Sequence, residues 1–271
     1  MATDTSTKIF LYLALPCEAK PLIEHYKLKK ETGIHAFSIF QNNNITLTVT
    51  GIGKASMAAG IAYTQAQFHA NNPPVMLNIG IAGHLNHPVG SVFLADKITD
   101  QDSGRRYFPP IIFSPPCPTY NLISCSKPEA NYPREALCDM EASAFYEIST
   151  RFSTAEIIHC LKIVSDNGST SIESVEPKMV TKLIEGQLTT IDRVLTELTK
   201  LASIAAEPEL PELPSILNRY RFSVNEQYQL KKLLLRRQVT EGRSDVDIAA
   251  KTGPEFLVKL KEILDLNAFY L

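Results

Sequence analysis

The apolar residues of this chain are concentrated in short segments that predict strands. These segments cover residues 9–15, 45–49, 75–79, 92–98 and 157–164. The first, residues 9–15, has no polar interruption, which is typical of a strand that is buried on both faces, as the central strands of α/β sheets are. Five such strands are therefore predicted.

Helices are predicted between and after these strands. One lies around Leu22, and a second, rich in Ala and Met, covers residues 55–68. A third begins near Glu141, and a single long helix is predicted from near Pro177, with apolar residues three and four positions apart as far as Leu198. Strands that alternate with helices indicate an α/β domain.

Two proline-rich stretches separate these elements. Residues 101–120 contain five prolines and are predicted to form a long loop, of the kind that is either a lid or disordered. Residues 205–214 are rich in Pro and Glu, which predicts a linker between a domain at 1–204 and a helical extension at 215–271.

The extension begins with a capping-box pattern at residues 223–226, and a second helix is predicted near 255–264. Between residues 215 and 239 there are six basic residues and the single acid Glu226. This charge is consistent with a module that binds nucleic acid or a partner. The preferred interpretation is a packed helical pair with solvated basic side chains.

Composition narrows the possible classes. The chain has 271 residues, 44% of them hydrophobic, and a net charge of −2, so neither nucleic acid nor an anionic membrane is expected as its main partner. No apolar run reaches the ~20 residues that span a bilayer. The five cysteines form no CxxC pair, which favours a reducing cytoplasmic location and argues against a disulfide framework or a zinc site. No cofactor or metal is predicted.

Carboxylates and glycines follow the predicted strands. Glu18 comes after the first strand, Gly51 to Gly53 after the second, Gly80 to Gly83 after the third and Asp166 after the last. Ligands of open α/β sheets bind at the carboxyl ends of the strands, so these residues predict an active site. The glycines before Lys54 lack the full GxGxxG spacing, and a tight turn explains them as well as a nucleotide site does.

Four motifs resemble the nucleoside phosphorylase/nucleosidase superfamily, and most of all its methylthioadenosine/S-adenosylhomocysteine nucleosidase branch. They are Thr-Gly-Ile-Gly-Lys-Ala at 50–55, Asn-Ile-Gly-Ile-Ala-Gly at 78–83, Asp-Met-Glu-Ala at 139–142 and Val-Ser-Asp at 164–166. The resemblance covers about residues 8–200. It implies a three-layer α/β/α fold with a central mixed twisted sheet, a purine nucleoside substrate and a homodimer. The extension has no counterpart in that branch.

The resemblance also implies roles for individual residues. Glu18 matches the carboxylate that activates the attacking water, and Asp166 matches the acid that protonates the leaving purine at N7. Glu141 matches the group that binds the ribose hydroxyls, with Met140 packed against the sugar. Further substrate-binding positions are Ile52 in the pocket for the 5′ substituent, Lys162 near the water, Gly83, Ser165, and Phe108, which with Tyr107 is a candidate lid supplied by the partner subunit.

Departures from the family pattern leave the reaction open. Ile81 and His84 replace small residues of the central glycine turn, and Asn167 follows Asp166 where the nucleosidases carry a second aspartate. One hypothesis is therefore a binding protein that kept the pocket, lost turnover and uses its tail to signal.

Hydrolysis and phosphorolysis are the two catalytic hypotheses. A phosphate nucleophile calls for arginines, because its charge must be matched by bidentate donors. Asn78 stands where the bacterial phosphorylases carry an arginine, although Arg105 and Arg106 in the long loop could supply charge. Hydrolysis of a 5′-modified purine nucleoside, such as methylthioadenosine or S-adenosylhomocysteine, is the preferred prediction.

Overall fold

The structure is a computed structural model that describes residues 7–68, 70, 72–129, 132, 135–205, 210–241 and 248–266. The chain divides into two compact units, residues 1–206 and residues 207–271. The boundary falls inside the stretch that composition predicts as a linker, where residues 206–209 lie outside the described residues. The three-part division of the chain stays a proposal.

The first unit contains strands and helices in alternation, as predicted. The described strands are β1 (Ile9–Leu13), β2 (Lys29–Lys30), β3 (Ser38–Gln41), β4 (Ile45–Val49), β5 (Val75–His84), β6 (Val92–Asp100), β7 (Arg106–Tyr107), β8 (Thr119–Ser124), β9 (Leu137–Asp139) and β10 (Ile158–Asn167). The described helices are α1 (Pro16–His25), α2 (Lys54–Gln67), α3 (Ala142–Ser149), α4 (Pro177–Glu185) and α5 (Leu188–Ala205).

All described strands belong to one mixed sheet. β1 lies between β4 and β5 and is parallel to both, and β5 is also parallel to β10. Beyond β10 the sheet continues through β6, β8 and β9, and β9 then pairs antiparallel with β5, so this part of the sheet closes on itself. The α/β fold with a central mixed sheet is confirmed.

Helices cover both faces of the sheet, and β1 shows why its sequence is continuously apolar. Alternate side chains of a strand point to opposite faces. Leu11 packs into a core with α1, α4 and α5, whereas Phe10 and Tyr12 pack into a second core with α2 and α3. A strand between two helical layers has no face left for polar residues.

Two elements differ from their predictions. β5 does not stop at Ile79 but runs to His84, because its ladder with β10 continues through the pairs Lys162–Gly80 and Asn167–His84. The central glycines therefore lie within a strand and not in a turn. The long helix predicted from Pro177 is two helices, α4 and α5, separated at Gly186 and Gln187.

The proline-rich stretch is described throughout its length. It contains the short strand β7, which pairs with the end of β6, and the start of β8 at Thr119. The remainder is loop, as predicted.

The second unit consists of described helices α6 (Leu213–Arg219), α7 (Val224–Glu241) and α8 (Gly253–Leu266). Their core includes Leu230, Leu234, Phe256 and Leu260, all of which are buried. The predicted capping box is present at the start of α7, where the Ser223 hydroxyl accepts from the Glu226 N–H and Glu226 Oε2 accepts from the Ser223 N–H. Within the described residues, no helix is long and apolar enough to cross a membrane.

Candidate active site

A cavity of about 280 Å³ lies where β1, β4, β5 and β10 reach their carboxyl ends. The loop after β9 completes it. Seven residues that the sequence predicts as site residues line this cavity: Glu18, Ile52, Gly83, Met140, Glu141, Ser165 and Asp166. The described lining does not include Lys162 or Phe108.

Glu18 is held between two backbone donors. It occupies the third position of α1, from which Oε2 accepts a hydrogen bond from the Leu15 N–H at 2.8 Å. Oε1 accepts from the Ile81 N–H at 3.0 Å. Burial, which leaves only 2% of Glu18 exposed, raises the pKa of its carboxyl against the lowering effect of these donors and of Lys162.

Gly80 makes this approach possible. A Cβ at position 80 would lie 3.0 Å from Glu18 Oε1 and 3.3 Å from Lys162 Nζ. A side chain at this position would therefore crowd the place where the carboxylate and the ammonium group come together.

Lys162 is buried directly behind the cavity wall and forms an ion pair with Asp139, with 2.9 Å between Nζ and Oδ2. Burial alone lowers the pKa of Lys162, but Asp139 and Glu141 outweigh it and raise that pKa above its usual value. The lysine therefore stays charged. It neutralises part of the negative charge around the cavity.

Asp139 links this ion pair to α3. Its Oδ2 accepts from the Ala142 N–H at 2.8 Å, near the helix start, and its Oδ1 accepts from the Ser124 hydroxyl at 2.6 Å. Both oxygens of the Asp139 carboxylate therefore have partners, as a buried carboxylate requires.

Glu141 precedes the first residue of α3 and reaches across to the start of α2. Its Oε1 accepts from the Gly53 N–H at 2.6 Å, where Gly53 has a φ of 96°, a value that favours glycine. Burial, and then the charge of Asp139, raise the pKa of Glu141 to about 7. Glu141 can therefore exchange a proton near neutral pH.

Each carboxylate oxygen of Asp166 accepts a hydrogen bond from a hydroxyl group. Ser165 donates to Oδ1 and Tyr132 donates to Oδ2. Burial and the neighbouring Asp166 raise the pKa of the Tyr132 phenol, so it remains a hydrogen-bond donor. Tyr132 could not be predicted as part of the site from the sequence, because it stands in a polar stretch without periodicity.

The remaining lining divides into thiol, charged and apolar groups. The thiols are Cys125 and Cys138, whose pKa values burial raises, so both are neutral. The charged groups include Lys127 and Glu129 from the segment after β8. The larger apolar side chains include those of Leu15, Ile52, Met140, Ile172 and Val175. Ile52 is 54% exposed, which places it at the mouth of the cavity.

The candidate lid residues behave differently from each other. The Tyr107 hydroxyl donates to Glu147 at 2.8 Å, so this tyrosine packs on α3 of its own subunit. Phe108 is 63% exposed. Arg105 pairs with Glu147 at 2.6 Å, and neither Arg105 nor Arg106 is among the described residues that line the cavity.

The departures from the family pattern have local structural roles. Ile81 supplies a backbone N–H to Glu18, a contact that does not depend on its side chain. His84 accepts from the backbone N–H groups of Asn86 and His87, and Asn167 donates to the His87 carbonyl. His84 and Asn167 therefore order the segment after β5, whereas Ile81 helps to hold Glu18.

Several site residues were not predicted from sequence as parts of the site, namely Asp139, Tyr132, Cys125, Cys138, Lys127 and Glu129. Asp139 carried a signal, since it belongs to the Asp-Met-Glu motif, but its pairing with Lys162 depends on the tertiary fold. No group of three or more metal-ligating side chains was found in the described part of the chain.

Comparison with known proteins agrees with this architecture. Residues 8–131 match the family model of the phosphorylase superfamily. This match includes Glu18, Ile52 and Gly83 and ends before Glu141 and Asp166. A search of curated proteins found no match.

Solved structures share the fold at low sequence identity. A 5′-methylthioadenosine/S-adenosylhomocysteine nucleosidase from Neisseria meningitidis has a TM-score of 0.58 and 16% identity over 70% of this chain and 99% of its own. The Arabidopsis thaliana 5′-methylthioadenosine nucleosidase has a TM-score of 0.57 and 15% identity, over 71% of this chain and 96% of its own. The futalosine hydrolase of Helicobacter pylori has a TM-score of 0.56 and 13% identity, over 70% of this chain and 98% of its own.

Proposed function

We propose that this chain hydrolyses the N-glycosidic bond of a purine nucleoside, a proposal that the match of residues 8–131 to the family model of the phosphorylase superfamily supports. The observation that carries the proposal is a single cavity lined by Glu18, Glu141 and Asp166. The substrate that best fits the apolar part of the lining has an uncharged 5′ substituent, as in methylthioadenosine.

The three carboxyl groups have different environments that suit different roles. Glu18, held by two backbone donors beside Lys162, is the base that activates water. Glu141 accepts hydrogen bonds from the ribose hydroxyls next to Met140. The negative charge of the site stabilises the positive charge that develops on the sugar as the base departs.

Asp166 is the carboxyl group that protonates the leaving purine. A purine is a poor leaving group until its N7 is protonated, so a carboxyl group that delivers this proton lowers the barrier. Before it can do so, Asp166 must take up a proton and face the base with one oxygen. Ser165 remains on the other oxygen and fixes the orientation of the carboxyl group.

The charge of the cavity favours water over phosphate. Of the described residues that line it, Glu18, Glu129, Asp139, Glu141 and Asp166 are acidic and only Lys127 is basic. A phosphate ion needs several cationic or N–H donors, and its charge is repelled by this set. Asn78, at the position where the phosphorylases carry an arginine, is buried and donates to the Tyr12 carbonyl.

The test is release of free base from a panel of purine nucleosides, with and without added phosphate. We expect base and free sugar to form without phosphate, and we expect the Glu18→Gln variant to release base far more slowly under the same conditions. A strict requirement for phosphate would replace hydrolysis by phosphorolysis. Binding of a nucleoside without release of base would indicate a binding protein, and the absence of both would refute the proposal.

The subunit arrangement and location are part of the same proposal. A homodimer in the cytoplasm is expected for this activity, with Phe108 of one subunit closing the cavity of the other. Phe108 is 63% exposed, so its side chain is accessible to a second subunit.

A further inference from the structure

Tyr132 touches four residues that line the cavity. Its hydroxyl donates to Asp166 Oδ2, its ring lies against Gly83, and it packs with Cys125 and Cys138. Only 8% of the tyrosine is exposed. Its ring and hydroxyl together present a flat apolar face and one hydrogen-bonding edge, as a nucleobase does.

Gly83 is the reason that the tyrosine and the aspartate fit side by side. A Cβ at position 83 would lie 2.6 Å from Asp166 Oδ2 and would also collide with the Tyr132 ring. The missing side chain leaves a flat backbone surface on which one aromatic ring can lie. That surface belongs to the lining of the cavity.

Asp166 has no oxygen left without a hydroxyl donor in this arrangement. Ser165 occupies Oδ1 and Tyr132 occupies Oδ2, and in both hydrogen bonds Asp166 is the acceptor. A carboxyl group that is to protonate a base must instead act as the donor. The Ser165 contact is between adjacent residues, so the Tyr132 contact is the one that a ligand can replace.

The size of the cavity leads to the same point. Its volume of about 280 Å³ is at or below the lower limit of the ~300–1,000 Å³ that is usual for small-molecule sites. Tyr132 packs against four lining residues, Gly83, Cys125, Cys138 and Asp166, but does not itself line the cavity, so it lies behind the cavity wall at that end. Movement of its side chain away from Gly83 and Asp166 would enlarge the cavity beside these two residues.

We propose that the Tyr132 side chain occupies the base subsite of the ligand-free chain and that a nucleobase binds by displacing it from Asp166. This inference rests on the proposed function, since it takes Asp166 as the residue that meets the base. Tyr132 therefore determines affinity and specificity. Only a base that replaces both the ring contact with Gly83 and the hydrogen bond to Asp166 binds well.

The test compares Tyr132→Phe with wild type by calorimetric titration with adenine and with the base-free sugar 5-methylthioribose. Loss of the phenol hydroxyl removes the competing hydrogen bond and keeps the ring. We expect adenine to bind the variant roughly three- to tenfold more tightly, the range of one net hydrogen bond, and the sugar to bind unchanged.

Tyr26→Phe is the matched control. The Tyr26 hydroxyl also donates to a carboxylate, at 2.7 Å from Asp192 Oδ1, but Asp192, unlike Asp166, does not line the cavity. Its removal should leave adenine affinity unchanged. Thermal unfolding of both variants shows whether they fold.

Unchanged or weaker adenine binding by Tyr132→Phe would overturn the inference, as would failure of adenine to bind any variant. Because the readout is binding, it is independent of turnover. If adenine binds the variant more tightly but no nucleoside is cleaved, the proposed hydrolysis fails and the inference stands. If nucleosides are cleaved but the variant binds adenine no better than wild type does, the proposed hydrolysis stands and the inference fails.

Discussion

At the scale of single residues, Glu18 is the clearest test of the chemistry. Replacement by Gln keeps the size of the side chain but removes the charge that activates water. We expect turnover to fall by a factor of ~10²–10⁴, with KM little changed, which is the usual effect of losing a positioned general base. Steady-state kinetics with a nucleoside that wild type cleaves measures both constants.

The control for this prediction is Glu24→Gln, which makes the same change at an exposed position of α1. It should leave turnover unaltered. Wild-type turnover in a folded Glu18→Gln variant would show that Glu18 does not activate water.

Glu141 predicts a dependence of stability on pH. Its pKa is raised from the ordinary 4.5 to about 7, so the folded chain holds this proton more tightly than the unfolded chain does. The stabilisation is complete below about pH 4.5 and is lost as the pH rises through about 7. Glu141→Gln resembles the protonated form at every pH.

The free energy of unfolding of Glu141→Gln relative to wild type should therefore increase by ~1–3 kcal/mol between pH 5 and pH 8. Denaturant titrations at the two pH values measure this change. Glu185→Gln, at an exposed position of α4, should show no such trend. If the difference in the free energy of unfolding between Glu141→Gln and wild type is the same at both pH values, the pKa of Glu141 is not raised in the folded chain.

At the scale of elements, the Lys162–Asp139 pair joins β10 to β9 at the bottom of the site. Removing one partner of a buried pair leaves the other charge uncompensated, at a typical cost of ~3–5 kcal/mol. Lys162→Met should therefore lower the free energy of unfolding by about this amount, measured by denaturant titration.

The double variant Lys162→Met/Asp139→Asn is the informative partner to this experiment. It removes the stranded charge while an amide oxygen still accepts from the Ala142 N–H at the start of α3. Part of the lost stability should return. Equal stability of the single and double variants would contradict the idea that an unpaired Asp139 causes the loss.

The strand β5 shows why sequence patterns misplaced an element. Its apolar run ends at Ile79, but pairing with β10 carries the strand through Gly80 and Gly83 to His84. Glycine weakens a strand locally, and it is used here because Glu18 and Lys162 approach Gly80 while Tyr132 and Asp166 approach Gly83. The pattern records only apolar side chains and not this requirement for space.

At the scale of the whole molecule, the proposed dimer can be tested through Phe108. If Phe108 closes the cavity of a partner subunit over an apolar 5′ group, Phe108→Ala should raise KM for methylthioadenosine several-fold. The KM for adenosine, with a bare 5′ hydroxyl, should hardly change. Burial of an aromatic ring is worth ~1–3 kcal/mol, which sets the upper limit of the effect.

Ile112→Ala is the control, because Ile112 is 61% exposed in the same loop. Analytical ultracentrifugation should show a dimer at the concentrations of the assay. A fully active monomer, or an equal loss of affinity for both substrates, would exclude the shared lid.

The sequence by itself determined the alternation of strands and helices, the capping box of α7 and seven of the residues that line the cavity. These features depend on local periodicity and on residues placed at the ends of strands. Glu18 follows β1, and Gly83 and Asp166 lie near the carboxyl ends of β5 and β10, which are parallel, so these three residues meet at one edge of the sheet. Glu141 reaches the same cavity from the segment after β9, which is antiparallel to β5.

Only the tertiary structure decided which groups pair with these residues. The ion pair between Lys162 and Asp139 joins residues that are 23 positions apart in the chain. The hydrogen bond from Tyr132 to Asp166 joins residues that are 34 positions apart. Neither contact has a periodic signal, because each depends on the closure of the sheet through β9 and on the space left by a glycine. Hydrophobic patterning specifies which faces are buried, and the fold then decides which polar groups meet there.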